Sequence, residues 1–161
     1  MWGIRQANLN DLDELVQLRL DLMREVGSLK VGVDEAALTR ATRKYFVDKL
    51  PKGEFLAWVA EVDGRLVGIS GLILFERPPT ADNLSGQEGY VLNMYTVPEW
   101  RGKGIATALL TEIINFAKTT GARRLRLHAT PDGKPVYEKA LFVPLSATRS
   151  SSAMTSMELT W

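Results

Sequence analysis

The sequence predicts an α/β fold, a mixed sheet with helices on both faces, and three observations carry that expectation. Strand-like and helix-like apolar patterns alternate along the chain. Asp63-Gly64 separates the apolar runs Phe55 to Val62 and Leu66 to Phe75, which marks a tight hairpin and an antiparallel pair. Further on, a strand from Tyr90, a helix from about Gly104 to Thr120 and a strand from Arg123 to Ala129 form a unit expected to be parallel, with a right-handed crossover.

Each element has a local reason. Trp2 to Ala7 is a short first strand. Asn10 or Asp11 can cap a helix in which Leu12, Leu15, Val16, Leu22, Met23 and Val26 recur near helical spacing, and Gly27 ends it. Asp34 to Leu50 reads as a second helix, stopped by Pro51. After the hairpin, Arg77 to Gly89, with two prolines and many polar residues, is a loop. Lys134 to Ala140 is a short helix, and Phe142 to Leu145 and Met154 to Thr160 are two final strands. Ser150-Ser151-Ser152 reads as a mobile loop between them.

Size and composition exclude several functions. With 161 residues and 45% hydrophobic content, a single domain over residues 1–161 is expected, large enough to bury a substantial core. Lys plus Arg is 20 against 19 for Asp plus Glu, so no electrostatic footprint for nucleic acid is present. A nucleic-acid module built on Arg101, Lys103, Arg123, Arg124 and Arg126 is disfavoured for that reason. No cysteine occurs, which removes disulfides, zinc-thiolate sites and a thiol nucleophile, and no metal site is expected. The N-terminus lacks a basic stretch followed by an apolar core, and no run reaches membrane-spanning length, so the expected location is cytoplasmic, with no membrane partner.

The most informative stretch is Tyr90 to Leu110, a strand running through a glycine-bearing loop into an amphipathic helix. In Arg101-Gly102-Lys103-Gly104-Ile105-Ala106 the glycines allow sharp turns and close approach of a ligand, and Arg101 and Lys103 add positive charge. The first N–H groups of the following helix, with the positive end of its dipole, favour a phosphate or pyrophosphate. It is not a Walker loop, because Gly104 is followed by Ile105 where Lys and a hydroxyl are needed. Nor is it a dinucleotide fingerprint, whose third small residue is replaced by Thr107. The segment resembles the acyl-CoA loop of the GNAT N-acetyltransferase superfamily, Gln/Arg-x-x-Gly-x-Gly/Ala, with Arg101, Gly104 and Ala106 in its three fixed places. The order of elements resembles the GNAT topology over nearly the whole chain, which implies a mostly antiparallel sheet with a splayed parallel central strand pair.

The resemblance implies a cosubstrate, acetyl-CoA, and a division of the site. Backbone N–H groups from Gly102 through Lys103, Gly104, Ile105 and Ala106 to Thr107 would hold the CoA pyrophosphate. Met94, Tyr95 and Thr96, on a strand splayed by a bulge, would pair with the pantetheine arm like an added strand. Pro135 to Phe142 resembles the family's late Leu-Tyr-Glu-Lys-x-Gly-Phe stretch, which would bring the Tyr137 hydroxyl close to the CoA sulfur. Its other reading is a tyrosine that packs its ring and hydrogen-bonds locally. Leu141 stands where the family usually has glycine, which puts the turn after Tyr137 in question. Thr130 occupies the place of an asparagine that contacts pantetheine in many relatives, or is an ordinary strand end.

Acetyl transfer to an amine sets the remaining requirements. An alkylammonium near pKa 10.4 must lose a proton before attack, at a cost of roughly 4 to 5 kcal/mol at neutral pH. The attack produces an oxyanion, for which the N–H of Met94 is the natural donor. A phenol such as Tyr137 can protonate the departing thiolate. For the base, Glu88 lies just before the central strand, with Glu76 and Asp82 near the same loop. His128 sits in LRLHAT on an undetermined strand face. Asn93 could orient substrate or water.

The expected activity is direct transfer of an acetyl group to a primary amine, on a small molecule or a peptide N-terminus, in a ternary complex. The alternative is a CoA-binding module that has lost turnover, motivated by Leu141 and the lack of an obvious base. The acceptor is left open among the amines used across the superfamily, with specificity expected in Gly27 to Thr39, Arg77 to Gly89 and Ala147 to Ser156. A homodimer is common among relatives, and nothing in these residues fixes it.

Overall fold

A computed structural model describes residues 1–145 and 154–161. The expected serine loop, and residues 147–153 of the third variable segment, lie outside that description. The elements are β1 (Gly3–Gln6), α1 (Leu12–Glu25), α2 (Glu35–Lys49), β2 (Leu56–Val62), β3 (Arg65–Glu76), β4 (Gln87–Thr96), α3 (Ile105–Thr119), β5 (Arg124–Ala129), α4 (Lys134–Lys139), β6 (Val143–Pro144) and β7 (Thr155–Thr160). The strands are ordered β1-β2-β3-β4-β5-β7-β6 in a seven-stranded sheet. β4 and β5 run parallel, with Gly89 opposite Leu125 and Tyr90 opposite Arg126, whereas β1–β2, β5–β7 and β6–β7 are antiparallel. The α/β fold expected from the alternation of patterns is therefore the observed one.

Local chemistry explains the boundaries. Asn8 caps a 3-10 turn at Leu9–Asp11 that leads into α1, and Asp34 accepts the Ala37 N–H at the start of α2. Asp63 and Gly64 have φ of 48° and 78°, the left-handed pair that a two-residue hairpin needs. The largest departure from expectation is β4. It begins at Gln87, so Glu88 belongs to a strand and not to the loop before it. The reason is the closure of that loop at Gly86, whose carbonyl accepts the Arg77 N–H at 2.8 Å. Gly86 has φ 67°, and a Cβ there would lie 2.1 Å from the Arg77 carbonyl oxygen. The chain is thus returned to the sheet three residues before Tyr90.

The residues group into two compact units, Met1–Gly71 with Asn93–Leu109, and Leu72–Leu92 with Leu110–Trp161. In the first, Leu15, Val16, Leu18 and Leu20 of α1, Phe46 of α2, Ala57 and Val59 of β2, Ile69 of β3 and Ile105 and Leu109 of α3 are buried. Gly68 sets the approach of α3 to β3, since a Cβ there would come 2.8 Å from Ile105 Cγ2. In the second, Leu72, Val91, Leu110, Ile113, Ala117, Leu125, Leu127, Phe142 and Met157 are buried. Among the described residues no helix is long and apolar enough to cross a membrane.

Candidate active site

In the first unit, the end of β4 from Asn93, the following loop and the start of α3 up to Leu109 form one continuous device. Asn93 has φ 60°, a left-handed conformation that asparagine tolerates better than most residues, and it interrupts the extended backbone of β4. Met94, Tyr95 and Thr96 resume and end the strand. The chain then crosses a 3-10 turn at Pro98–Trp100 and bends at Gly102 and Gly104, with φ of 72° and 83°. The Gly104 carbonyl accepts the Ala108 N–H at 3.0 Å and so opens α3. Ile105 and Ala106 therefore stand in the first turn, where no earlier carbonyl of the same helix can reach their N–H groups, and Thr107 follows them in the helix. A Cβ at Gly102 would meet no protein atom within 4 Å, so the space over the loop is open. Donors, dipole and open space fit a phosphate group.

The two cations of the loop are placed differently from the simple expectation of free charge facing a ligand. Arg101 Nε donates to the Thr96 carbonyl at 2.9 Å, and its guanidinium pairs with Glu25 of α1 at 2.5 Å. It also lies over the Tyr95 ring, 5.5 Å from the centroid. The Glu25 carboxylate holds the Arg101 pKa above its ordinary value. Arg101 thus ties the end of β4 to α1 and gives the loop its shape. Lys103 sits 4.2 Å from the Trp100 ring centroid.

Arg19, which the sequence reading passes over, reaches the same strand. Its Nη1 donates to Asn93 Oδ1 at 3.3 Å. Asn93 is 6% exposed, and its Nδ2 has no hydrogen-bond partner. The signal was there: Arg19 falls four residues after Leu15 and three before Leu22, on the stripe that α1 turns inward.

The second unit holds the candidate acid and bases. Tyr137 of α4 is 6% exposed, with its ring edge-on to Phe142 at 5.9 Å. Burial, with a smaller contribution from Tyr90, pushes its pKa up to about 12. Its hydroxyl makes no hydrogen bond among the described residues. Leu141 has φ 69°, so it adopts the conformation that the expected glycine would supply. Its N–H donates to the Glu138 carbonyl, and the Phe142 N–H to the Tyr137 carbonyl, both at 3.0 Å. Leu141 is 76% exposed and packs little. Leu141→Gly is therefore expected to relieve backbone strain and stabilise the protein by about 1 kcal/mol, raising Tm by roughly 2–4 °C. Calorimetric melting of the two proteins checks this.

The remaining sequence candidates share one sheet face. The β4–β5 register puts Tyr90 beside Arg126, and alternation puts Glu88, Arg124 and His128 on that same face. Tyr90 Oη lies 2.5 Å from His128 Nδ1. Glu88 is 4% exposed and set among three guanidinium groups, with Arg126 Nε at 3.4 Å, Arg77 Nη1 at 3.5 Å and Arg124 Nε at 3.6 Å. Glu158 joins Arg124 and Arg126 from β7, and Asp82 pairs with Arg124 at 2.5 Å. Glu76 is instead an acceptor for Gln87 Nε2 at 3.4 Å. The Thr130 hydroxyl accepts the Gly133 N–H at 3.1 Å and supports the turn into α4.

Comparison with known proteins extends this picture. The predicted acetyltransferase of Clostridium acetobutylicum, solved with acetyl-CoA, is 30% identical and superposes with a TM-score of 0.83 over 94% of this chain and 96% of that one. A GCN5-related N-acetyltransferase from Ralstonia eutropha JMP134 gives 28% identity and a TM-score of 0.81 over 95% and 99% of the two chains. An uncharacterized N-acetyltransferase of Archaeoglobus fulgidus is 28% identical over 121 residues, covering 71% of this chain and 72% of its own. The family model described as the acetyltransferase (GNAT) family matches residues 14–141, a span that holds the interrupted strand, the glycine loop, the α3 start and Tyr137. The chain thus belongs to the acetyltransferase (GNAT) family.

Proposed function

We infer that this protein transfers the acetyl group of acetyl-CoA directly to a primary amine, of a small molecule or a peptide N-terminus, in a ternary complex. The observation that carries this reading is the continuous device in the first unit: β4 broken at Asn93, the loop bent at Gly102 and Gly104, and the first turn of α3. Bound acetyl-CoA supplies an acyl group activated as a thioester. In this reading the loop and helix N–H groups from Gly102 to Thr107 hold its pyrophosphate, and the backbone of Met94 to Thr96 pairs with its pantetheine arm. The Met94 N–H follows the break at Asn93 and would stabilise negative charge developing on the acyl oxygen, an effect worth roughly 3 kcal/mol. Thr130 remains a pantetheine contact through the hydrogen atom of its hydroxyl, which the Gly133 bond leaves available.

Tyr137 is the proposed acid, its hydroxyl giving a proton to the departing sulfur. Glu88 is the candidate proton acceptor, but the three guanidinium groups around it favour a structural duty over a catalytic one. With no cysteine in the chain, no thiol carries the acetyl group between donor and acceptor. The test is CoA release measured over a broad amine panel. Release that depends on the amine is expected. Tight acetyl-CoA binding without turnover over the whole panel would instead support a binding module.

A further inference from the structure

Arg19 differs from the other described arginines in its surroundings. Of the described arginines, Arg5, Arg24, Arg43, Arg77, Arg101, Arg124 and Arg126 each pair with a carboxylate. Arg40, Arg65 and Arg123 do not, and they are exposed, where water solvates the charge. Arg19 alone among the described arginines is half-buried without a carboxylate. Its hydrogen-bond partner is a neutral amide oxygen, Asn93 Oδ1. Such a guanidinium has lost solvent without gaining a counter-charge, a state that an anionic ligand relieves. Loss of solvent also pulls the Arg19 pKa below its ordinary value.

Asn93 adds a second donor. Because Arg19 donates to its oxygen, the amide orientation is fixed, and Nδ2 is the buried group left without a partner. Two donors, one of them charged, thus converge immediately before Met94, the residue whose N–H serves the acyl oxygen in the reading above. A polycationic acceptor would meet repulsion there. A small acceptor carrying a carboxylate a few bonds from its amine would not.

We propose that Arg19 and Asn93 bind the carboxylate of the acceptor, which makes the acceptor a small amino acid. This rests on the acetyltransferase reading. The reaction balances as R–NH3+ plus acetyl-S-CoA giving R–NH–acetyl, CoA-SH and one proton: the C–N bond forms, the C–S bond breaks, and one of the two protons lost by the nitrogen ends on sulfur. Arg19 fixes the carboxylate while the amine nitrogen faces the acyl carbon.

The experiment compares free amino acids with the amines and carboxamides of identical side chain, at constant acetyl-CoA. It also measures binding of N-acetyl amino acids by calorimetry, which needs no turnover. At least a hundredfold preference in kcat/KM for the carboxylate form is expected. Arg19→Gln should raise KM for the amino acid tenfold or more and abolish N-acetyl amino acid binding, with acetyl-CoA affinity and Tm unchanged. Arg19→Lys should recover part of the loss. Equal rates for acids and decarboxylated amines, or preference for a peptide N-terminus over free amino acids, overturns the proposal and leaves the acetyltransferase reading standing. Absence of acetyl-CoA binding by the wild-type protein overturns both.

Discussion

Replacing Tyr137 by phenylalanine is expected to lower kcat for acetyl transfer by about a hundredfold or more while leaving acetyl-CoA affinity within a few-fold. The substitution keeps the ring, which packs edge-on to Phe142. It removes only a hydroxyl that holds no hydrogen bond among the described residues, so the fold loses little. An acid must be protonated at the pH of the reaction, and with its pKa pushed up to about 12 the phenol is neutral throughout the physiological range. Equal kcat in the two proteins under conditions where chemistry limits the rate would remove Tyr137 from the reaction. The same variant has a second readout. The folded-state pKa of about 12 exceeds the ordinary value of 10.0, so the folded protein holds this proton more tightly than the unfolded chain. The resulting stability is complete below pH 10 and falls as pH rises through 12, by about 3 kcal/mol. Chemical denaturation at pH 9 and pH 11.5 should show that part of the alkaline loss in the wild type and not in Tyr137→Phe.

What could be read in advance was what short stretches of chain decide for themselves. Gly102 and Gly104 are legible because only glycine takes φ of 72° and 83° without strain, and Asp63-Gly64 because aspartate tolerates and glycine favours the left-handed pair of a tight hairpin. Asp34 and Gly27 mark helix ends through bonds made within a few residues. Leu141 shows the limit of such rules. A leucine occupies the left-handed position, and the turn forms because the hydrogen bonds to Glu138 and Tyr137 outweigh a modest strain. The start of β4 could not be read, since Gln87 and Glu88 are polar and a strand made of them is stabilised by residues distant in sequence, Arg124 and Arg126. Arg101 misleads in the same way. The motif suggests a charge for the ligand, whereas Glu25, 76 residues away, takes that charge for the scaffold. Arg19 makes its contact across 74 residues, and a helical arginine on an apolar stripe has an outward alternative that sequence alone does not remove. The proposed donor half of the site was thus local in origin, and the proposed acceptor half depended on tertiary contacts.

Glu88→Gln is expected to cost stability more than catalysis. The wild-type carboxylate is 4% exposed and balances Arg77, Arg124 and Arg126, of which Arg124 is itself buried. Glutamine has the same shape and no charge. The guanidinium groups then retain Glu158 and Asp82 but lose their central counter-ion, and their repulsion is uncompensated in a poorly solvated place. Removing one partner of a buried ionic cluster costs about 3–5 kcal/mol, which for a chain of this length is a fall in Tm of roughly 10 °C. High salt should narrow the difference only slightly, because buried pairs are screened weakly. Activity discriminates the two duties of this residue. If Glu88 holds the sheet face together, kcat per folded molecule measured well below the variant's Tm stays within a few-fold of wild type. A proton acceptor would give the opposite pattern: a loss of a hundredfold or more in kcat, with Tm preserved and the acidic limb of the pH–rate profile displaced. Arg77→Gln separates these further, since it removes one exposed arm of the cluster and leaves the carboxylate in place. The structural duty predicts a small loss of stability and no change in the pH–rate profile, and a shifted profile would return Glu88 to the chemistry.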